Sequence, residues 1–442
     1  MSQSGMKHLP NVIKSKKEPE VNTFVWVNAL PGLLLCLAAL AMLVMDVAMP
    51  GMVDKQYVLY PAICRAVMGI SAVVMLSQTL WCGSDCFRRP DLTTFVFAGF
   101  ILCMIVSTCI NGFSREALLS VPYRYVGLID LIAFIVVYMG CSRRVESEKL
   151  RHTVLISFML TADMVCGVFL YDWFVSDIPA IGSENVVSAI FFHDNHYGYF
   201  LVIAVMISSG YFIYGSIAAA IAGLISLGFN LFALAVNRSA GCFIAVGAAI
   251  AIMIIYTVIF QKRYFKRAVI LATAFIAGAV FLVAASKALR DDLVLLMKEV
   301  IEILRGGDTT YAGHGRWQLW KITADYIADE PLVGYGCEGI RDTLYDYTEI
   351  SSPHNEPLTY AAFFGIPAAL LYVVGSTSAV ISGLRRRKAV GEYDGEGDCS
   401  VVIAAFAALG YLISSLFGVT MFYTAPYLFI FMGLAASFDN KT

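Results

Sequence analysis

Apolar residues come along this chain in uninterrupted blocks. Most are near twenty residues, the length that crosses a hydrocarbon core about 30 Å thick. The blocks predict about twelve membrane helices, over 24–48, 58–81, 91–110, 122–141, 152–172, 195–212, 214–236, 240–260, 268–287, 356–383, 400–418 and 422–438. The narrowest break is the "YGS" that ends at Ser216, which predicts a tight turn between two helices. Two polar stretches stand apart from the blocks, 173–194 and 288–355. The longer one has helical spacing of its own. Acids open and Gly-Gly closes 291–307, Pro331 stops a helix over 316–331, and a third helix is predicted over 338–347. These pieces are amphipathic and aromatic-rich, as helices that roof a cavity at a membrane surface are.

Composition agrees. Hydrophobic residues make up 59% of the 442 and charged residues only 14%, against about 25% in soluble domains. The net charge of −2 says little about partners; the positions of the cations say more. Basic clusters at 7–17, 88–89, 143–151, 262–267 and 385–388 all fall on one side of the predicted helices. The positive-inside rule makes that side cytoplasmic. The fold class expected is therefore an all-α polytopic integral membrane protein with both termini in the cytoplasm. Residues 1–23 are expected to be a cytoplasmic tail with a signal anchor, 24–287 a bundle of about nine spans, 288–355 an exterior loop, and 356–442 about three further spans. Of the eleven cysteines only Cys337 lies in a long exterior loop, so no disulfide framework is expected. No P-loop is present, which argues against ATP-driven transport by this chain alone.

Ionisable residues inside a membrane are costly and attract attention. Arg65, Asp130 and Asp163 fall at similar depth in three predicted spans, where a structural ion pair is the expected use. Arg238 ends a span in "NRSAG", with almost no loop before the next. Arg316 opens a predicted helix behind Gly315, a setting in which guanidinium and backbone N–H groups can cradle a phosphate. His354 and Asn355 directly precede a span, and histidine is the side chain suited to proton transfer near neutral pH. The "GYGCEG" at 334–339 matches a dinucleotide pattern, but no strand precedes it, and a turn is expected there. Neither "HDNH" at 193–196 nor "CGSDC" at 82–86 has the further partners a metal site needs.

The order "NRSAG", "GRWQLW", "DEPLVGYGCEGI", then "PHNEPL" entering a span, resembles the O-antigen ligase and O-antigen polymerase superfamily. "FFHDNHYGYFL" and "PYRYVGL" are similar to that family's earlier elements. The resemblance runs over roughly 110–375. It implies a GT-C-like glycosyltransferase of the cytoplasmic (inner) membrane, with its active site facing the exterior or periplasm. Such an enzyme uses a polyprenyl-diphosphate-linked glycan as donor, a lipid, glycan or protein as acceptor, no metal, no cofactor and no nucleic acid. It implies catalytic roles for His354, Arg316 and Arg238, with Asn355, Glu356, Arg124, Asn195 and His196 as substrate contacts. Ligase, repeat-unit polymerase and protein O-oligosaccharyltransferase share that donor and remain alternatives. So does a glycan flippase or secondary transporter, although the two similar halves expected of one are missing.

The charge asymmetry makes one direct prediction. A cysteine introduced at Asp308 should react with a membrane-impermeant maleimide in intact cells. Labelling seen only after lysis would reverse the topology.

Overall fold

A computed structural model describes residues 25–48, 53–82, 92–121, 126–145, 147–175, 189–191, 193–285, 287–306, 315–348, 350–390 and 398–437. The predicted tail at 1–23, most of "CGSDC" and Arg124 lie outside the described residues. Among the described residues the α-helices, in chain order, are α1 Leu30–Ala48, α2 Val53–Cys82, α3 Leu92–Asn111, α4 Arg115–Leu119, α5 Leu128–Arg144, α6 Glu148–Val175, α7 Asp194–Tyr214, α8 Ile217–Asn237, α9 Ala240–Phe260, α10 Phe265–Ala285, α11 Lys287–Arg305, α12 Arg316–Asp329, α13 Arg341–Thr348, α14 Glu356–Phe364, α15 Ile366–Val390, α16 Ser400–Ser414 and α17 Ala425–Ala436. The protein is thus an all-helical polytopic membrane protein.

Every apolar block of the sequence became a helix. Nine of the described helices are long and apolar enough to cross a membrane, and α1 and α17 carry shorter apolar runs. The turn at Gly215–Ser216 is present, with Ser216 Oγ accepting from Ala219 N. The three loop helices appear as α11, α12 and α13, within a few residues of expectation.

The bundle is layered by burial. α7 is enclosed along its whole length, while α10 meets its surroundings with exposed Ile270, Ile276, Val280 and Phe281. Without a hydrophobic force between helices in lipid, close packing has to hold them, and small residues allow it. Gly198 of α7 shows this: a Cβ there would stand 2.6 Å from Cys242 Sγ of α9.

The expected single span 356–383 is in fact broken. α14 ends at Gly365, whose φ of +88° suits glycine alone, and α15 begins with Ile366–Pro367. Backbone groups freed at such a break need partners when water is absent. The 331–336 turn supplies them. Tyr335 N donates to Ala362 O at 2.9 Å, Gly336 N to Phe363 O at 2.8 Å, and Ile366 N to Pro331 O at 2.8 Å. Thus "GYGCEG" is a turn, as expected, and it plugs the helix break.

The expected ion pair forms between Arg65 and Asp130 only. Arg65 Nε and Nη2 donate to Asp130 at 2.9 and 2.7 Å, and Nη2 also reaches Leu119 O at 2.8 Å. Asp130 sits in the first turn of α5 rather than deep in a span, because the helix starts at Leu128 and not near 122. There it also accepts from Gly127 N. Asp163 is not part of this pair. It accepts from Ser226 and Asn230 of α8 at 2.7 and 2.9 Å.

The other end of the bundle is fastened by Arg151, 1% exposed, which donates to Val145 O, Ser400 Oγ, Ser437 Oγ and Asp398. Burial pushes the Asp398 carboxyl up, but Arg151 and Ser400 outweigh it and hold it below its ordinary value.

Replacing Arg65 by Met strands the buried Asp130. Arg65 keeps partial access to solvent, so the loss should be near the low end for buried pairs, about 3 kcal/mol. Arg65→Met/Asp130→Asn should recover much of that loss, since Asn still accepts from Gly127 N. Thermal melts in detergent that rank the double variant below the single one would contradict this account.

Candidate active site

Five helices begin at one face of the bundle: α7, α9, α12, α14 and α17. Their starts are tied together mostly by uncharged contacts. At the α8–α9 corner, Arg238 caps α8 in the left-handed region, φ +59°, with its N–H on Leu234 O. The corner is stitched to the start of α7. Asn237 Nδ2 donates to Asp194 O at 2.9 Å, and Ser239 Oγ donates to Asn195 Oδ1 at 2.7 Å. Arg238 is exposed at this corner.

α12 begins at Arg316, behind Gly315 at φ +80°. Arg316 is half-buried, and its charge lies within electrostatic reach of Tyr199 of α7 and Cys242 of α9. One turn on, Trp320 Nε1 donates to Pro353 O at 2.9 Å. That bond sets the start of α12 against the residue preceding His354.

His354 is itself left-handed, φ +52°, and its N–H reaches Ser352 Oγ at 3.3 Å. Asn355 caps α14, its Oδ1 accepting from Leu358 N at 3.0 Å. Its Nδ2 donates to Leu416 O at 3.1 Å, which brings the far end of α16 to the site. Glu356, expected among the substrate contacts, is fully buried. Its oxygens accept from Tyr411 Oη at 2.8 Å and Tyr372 Oη at 2.7 Å. The carboxylate therefore lies behind the site rather than on its surface, and it roots α14 to α15 and α16.

His196, in the first turn of α7, is 5% exposed. Its ring stacks on Tyr423, centroids 5.6 Å apart and planes 22° apart, just before α17. It lies within electrostatic reach of His193, Asp194 and His354. Asn195 is half-buried beside it. Of the residues expected from sequence, Asn195, His196, Arg238, Arg316, His354 and Asn355 thus share one face of the molecule, with Glu356 beneath.

Tyr423, Tyr199, Ser239, Tyr372 and Tyr411 were missed. Tyrosines are common in apolar blocks, and nothing in their spacing marks these. The one usable signal was "YTAP" at 423–426, a Thr–Pro helix start next to a tyrosine.

Among the described residues one cluster has metal-ligating groups near each other, Glu148, His152 and Asp398. It sits at the opposite end of α16. Asp398 is already occupied by Arg151, Ser400 N and Ser400 Oγ, and His152 Nδ1 by Tyr211 Oη. The set is a structural ion-pair cluster.

A face where several helix N-termini and two arginines meet is built for anions. Each N-terminus carries roughly half a positive charge. Residues 225–373 match the family described as O-antigen ligase. The match takes in Arg238, Arg316, His354, Asn355 and Glu356, and stops short of Asn195, His196 and Tyr423. No curated protein matches the chain.

Proposed function

We propose, from the match of residues 225–373 to the family described as O-antigen ligase, that this chain is a membrane glycosyltransferase taking its glycan from a polyprenyl-diphosphate donor. The observation that carries this reading is the gathering of five helix N-termini with Arg238, Arg316 and His354 on one face. A diphosphate held at a membrane surface needs that arrangement. Arg238 and Arg316 bind its oxygens and stabilise the charge that develops as it leaves. Asn195 at the start of α7 and Asn355 at the cap of α14 stand on the same face and are proposed to contact the donor. Arg124 belongs to the proposed substrate contacts by family resemblance.

In the proposed reaction an acceptor hydroxyl attacks the sugar C1. The bond from C1 to the phosphate oxygen breaks, and the polyprenyl diphosphate leaves with the electron pair. His354 takes the hydroxyl proton, and an in-line attack inverts C1. Glu356, Tyr372 and Tyr411 hold the start of α14 so that His354 meets the acceptor. The site faces the exterior of the inner membrane, where lipid-linked donor and water-borne acceptor meet. Lipid, growing glycan and protein acceptors all fit this chemistry. Transfer from a purified polyprenyl-diphosphate glycan to each acceptor class, with a chelator and no nucleotide present, tests the reading. No transfer to any class would end it.

Two predictions follow from the roles assigned. Arg316→Lys keeps the charge but loses the planar fork, so transfer should fall well beyond any loss of protein, while Arg238→Ala should raise the donor concentration needed. Wild-type transfer by both variants at wild-type abundance would remove the diphosphate clamp.

His354→Ala should lose roughly 10²–10⁴-fold in rate with donor binding retained. Wild-type activity should fall as pH drops and the imidazole protonates, since a protonated ring accepts no proton. His354→Gln keeps polarity without useful basicity, so near-normal transfer by that variant would remove the base role.

A further inference from the structure

Two histidines stand at this site, and their surroundings separate their chemistry. His196 packs against two rings. Tyr423 stacks against one face of its ring, and the His193 ring lies 5.6 Å away at a 44° tilt. Its Nδ1 is sealed from solvent and has no hydrogen-bond partner among the described residues. A neutral imidazole carries one proton, and its other nitrogen accepts. Putting the proton on the sealed Nδ1 would bury an N–H with nothing to receive it, which folded proteins rarely tolerate. Leaving a lone pair there costs less. The proton therefore belongs on Nε2.

A charged ring would carry both protons, one of them again on the sealed Nδ1. The groups within electrostatic reach that bear on this are His193 and Asp194 from the start of α7 and His354 from the approach to α14. Asp194 is the single acid among them, and its Oδ1 is engaged by His193 and by Asn195 N, the latter at 2.8 Å.

We infer that His196 is a fixed, neutral hydrogen-bond donor, which presents Nε2–H to an oxygen of the donor's leaving diphosphate and takes no proton in the reaction. The inference rests on the transferase reading for its ligand. A phosphate oxygen is favoured over a sugar hydroxyl for two reasons. His196 lies in the first turn of α7, and its stacking on Tyr423 brings the start of α17 beside it, so the positive ends of two helix dipoles adjoin the ring. A donor fixed in advance is also what a developing oxyanion requires, since it needs no reorganisation as charge forms. Within the site the labour is then divided: His354 accepts a proton from the acceptor, and His196 donates a hydrogen bond to the leaving group.

The test compares His196→Phe with His196→Gln in the purified full-length protein. Phenylalanine keeps the stack on Tyr423 and loses the donor. Glutamine can place an amide N–H near the position of Nε2. Transfer by His196→Phe should drop about 10²-fold, and its affinity for polyprenyl diphosphate alone, read by native mass spectrometry, should fall. His196→Gln should recover at least about tenfold of that rate. In the Gln variant the acidic limb of the pH–rate profile should stay at its wild-type position. Three outcomes would each overturn the inference: wild-type transfer by His196→Phe, a Gln variant as slow as Phe at an unchanged melting temperature, or an acidic limb that disappears in the Gln variant. If affinity for a non-transferable sugar analogue falls while polyprenyl-diphosphate affinity holds, His196 reads a hydroxyl instead and the phosphate assignment is wrong. The binding arm needs no turnover. A failure of wild-type transfer would thus strike the transferase reading, while an unchanged lipid-diphosphate affinity in His196→Phe would strike this one.

Discussion

The site depends on a helix that stops early. Had 356–383 run as one helix, its interior would carry no free backbone groups, and its start could not be anchored apart from the span beneath. Gly365 ends α14 after nine residues. The 331–336 turn then satisfies the carbonyls of Ala362 and Phe363 that the break leaves open. In lipid an unsatisfied backbone group costs several kcal/mol, so the break and the turn have to occur together. The same turn ends the segment that carries Arg316, and its docking against the break fixes the end of α12 against α14 and α15. Trp320 completes the connection through Pro353. One local constraint thereby places Arg316 and His354 in a common frame, although 38 positions of sequence separate them.

Beneath that frame lies a carboxylate without a cation. Glu356 is fully buried, and tyrosine hydroxyls from α15 and α16 donate to both its oxygens. Hydrogen bonds to a charged acceptor are worth about 1.5–3 kcal/mol each and work against a several-kcal/mol desolvation penalty; burial outweighs them and holds the Glu356 carboxyl above its ordinary value. Its place at the first residue of α14 adds the favourable end of the helix dipole. The arrangement holds α14 by its N-terminus, the end that matters for His354 and Asn355, and leaves the C-terminal end to the glycine break.

Much of this was legible in the sequence, and the limits have physical reasons. Apolar blocks report on lipid, so they mark helices well and helix breaks poorly. The break at Gly365 was hidden because "FFGIPAALL" stays apolar throughout, although Gly followed by Pro two residues on is a stop-and-start signal in its own right. The Arg65–Asp130 pair was expected, but the depth of Asp130 was not, since an apolar stretch gives no sign that the helix starts only at Leu128. Arg238, Arg316 and His354 stood out because charges and histidines near membrane helices are conspicuous. Tyr423 and the tyrosines around Glu356 were not, because an aromatic in an apolar block is unremarkable until the fold puts it beside a polar group. Glu356 was noticed and assigned to the wrong side of the surface. A carboxylate next to a histidine looks the same in sequence whether it faces substrate or roots the helix.

The electrostatics of the site follow from how its acids are used. Glu356 is engaged by hydroxyls and Asp194 by its own neighbours at the start of α7. Among the described residues Arg316 makes no salt bridge with either. A site meant for a cation would leave its carboxylates open; this one engages them from within, with Arg316 and the helix starts on the same face. The balance also explains why the contacts that assemble the face are an indole, two amides and a serine hydroxyl. An ion pair used as a fastener would spend the same charge twice, since each carboxylate holding an arginine in place would compete with an anionic ligand for it. Uncharged fasteners avoid that competition, and they hold position whether or not an anion is bound.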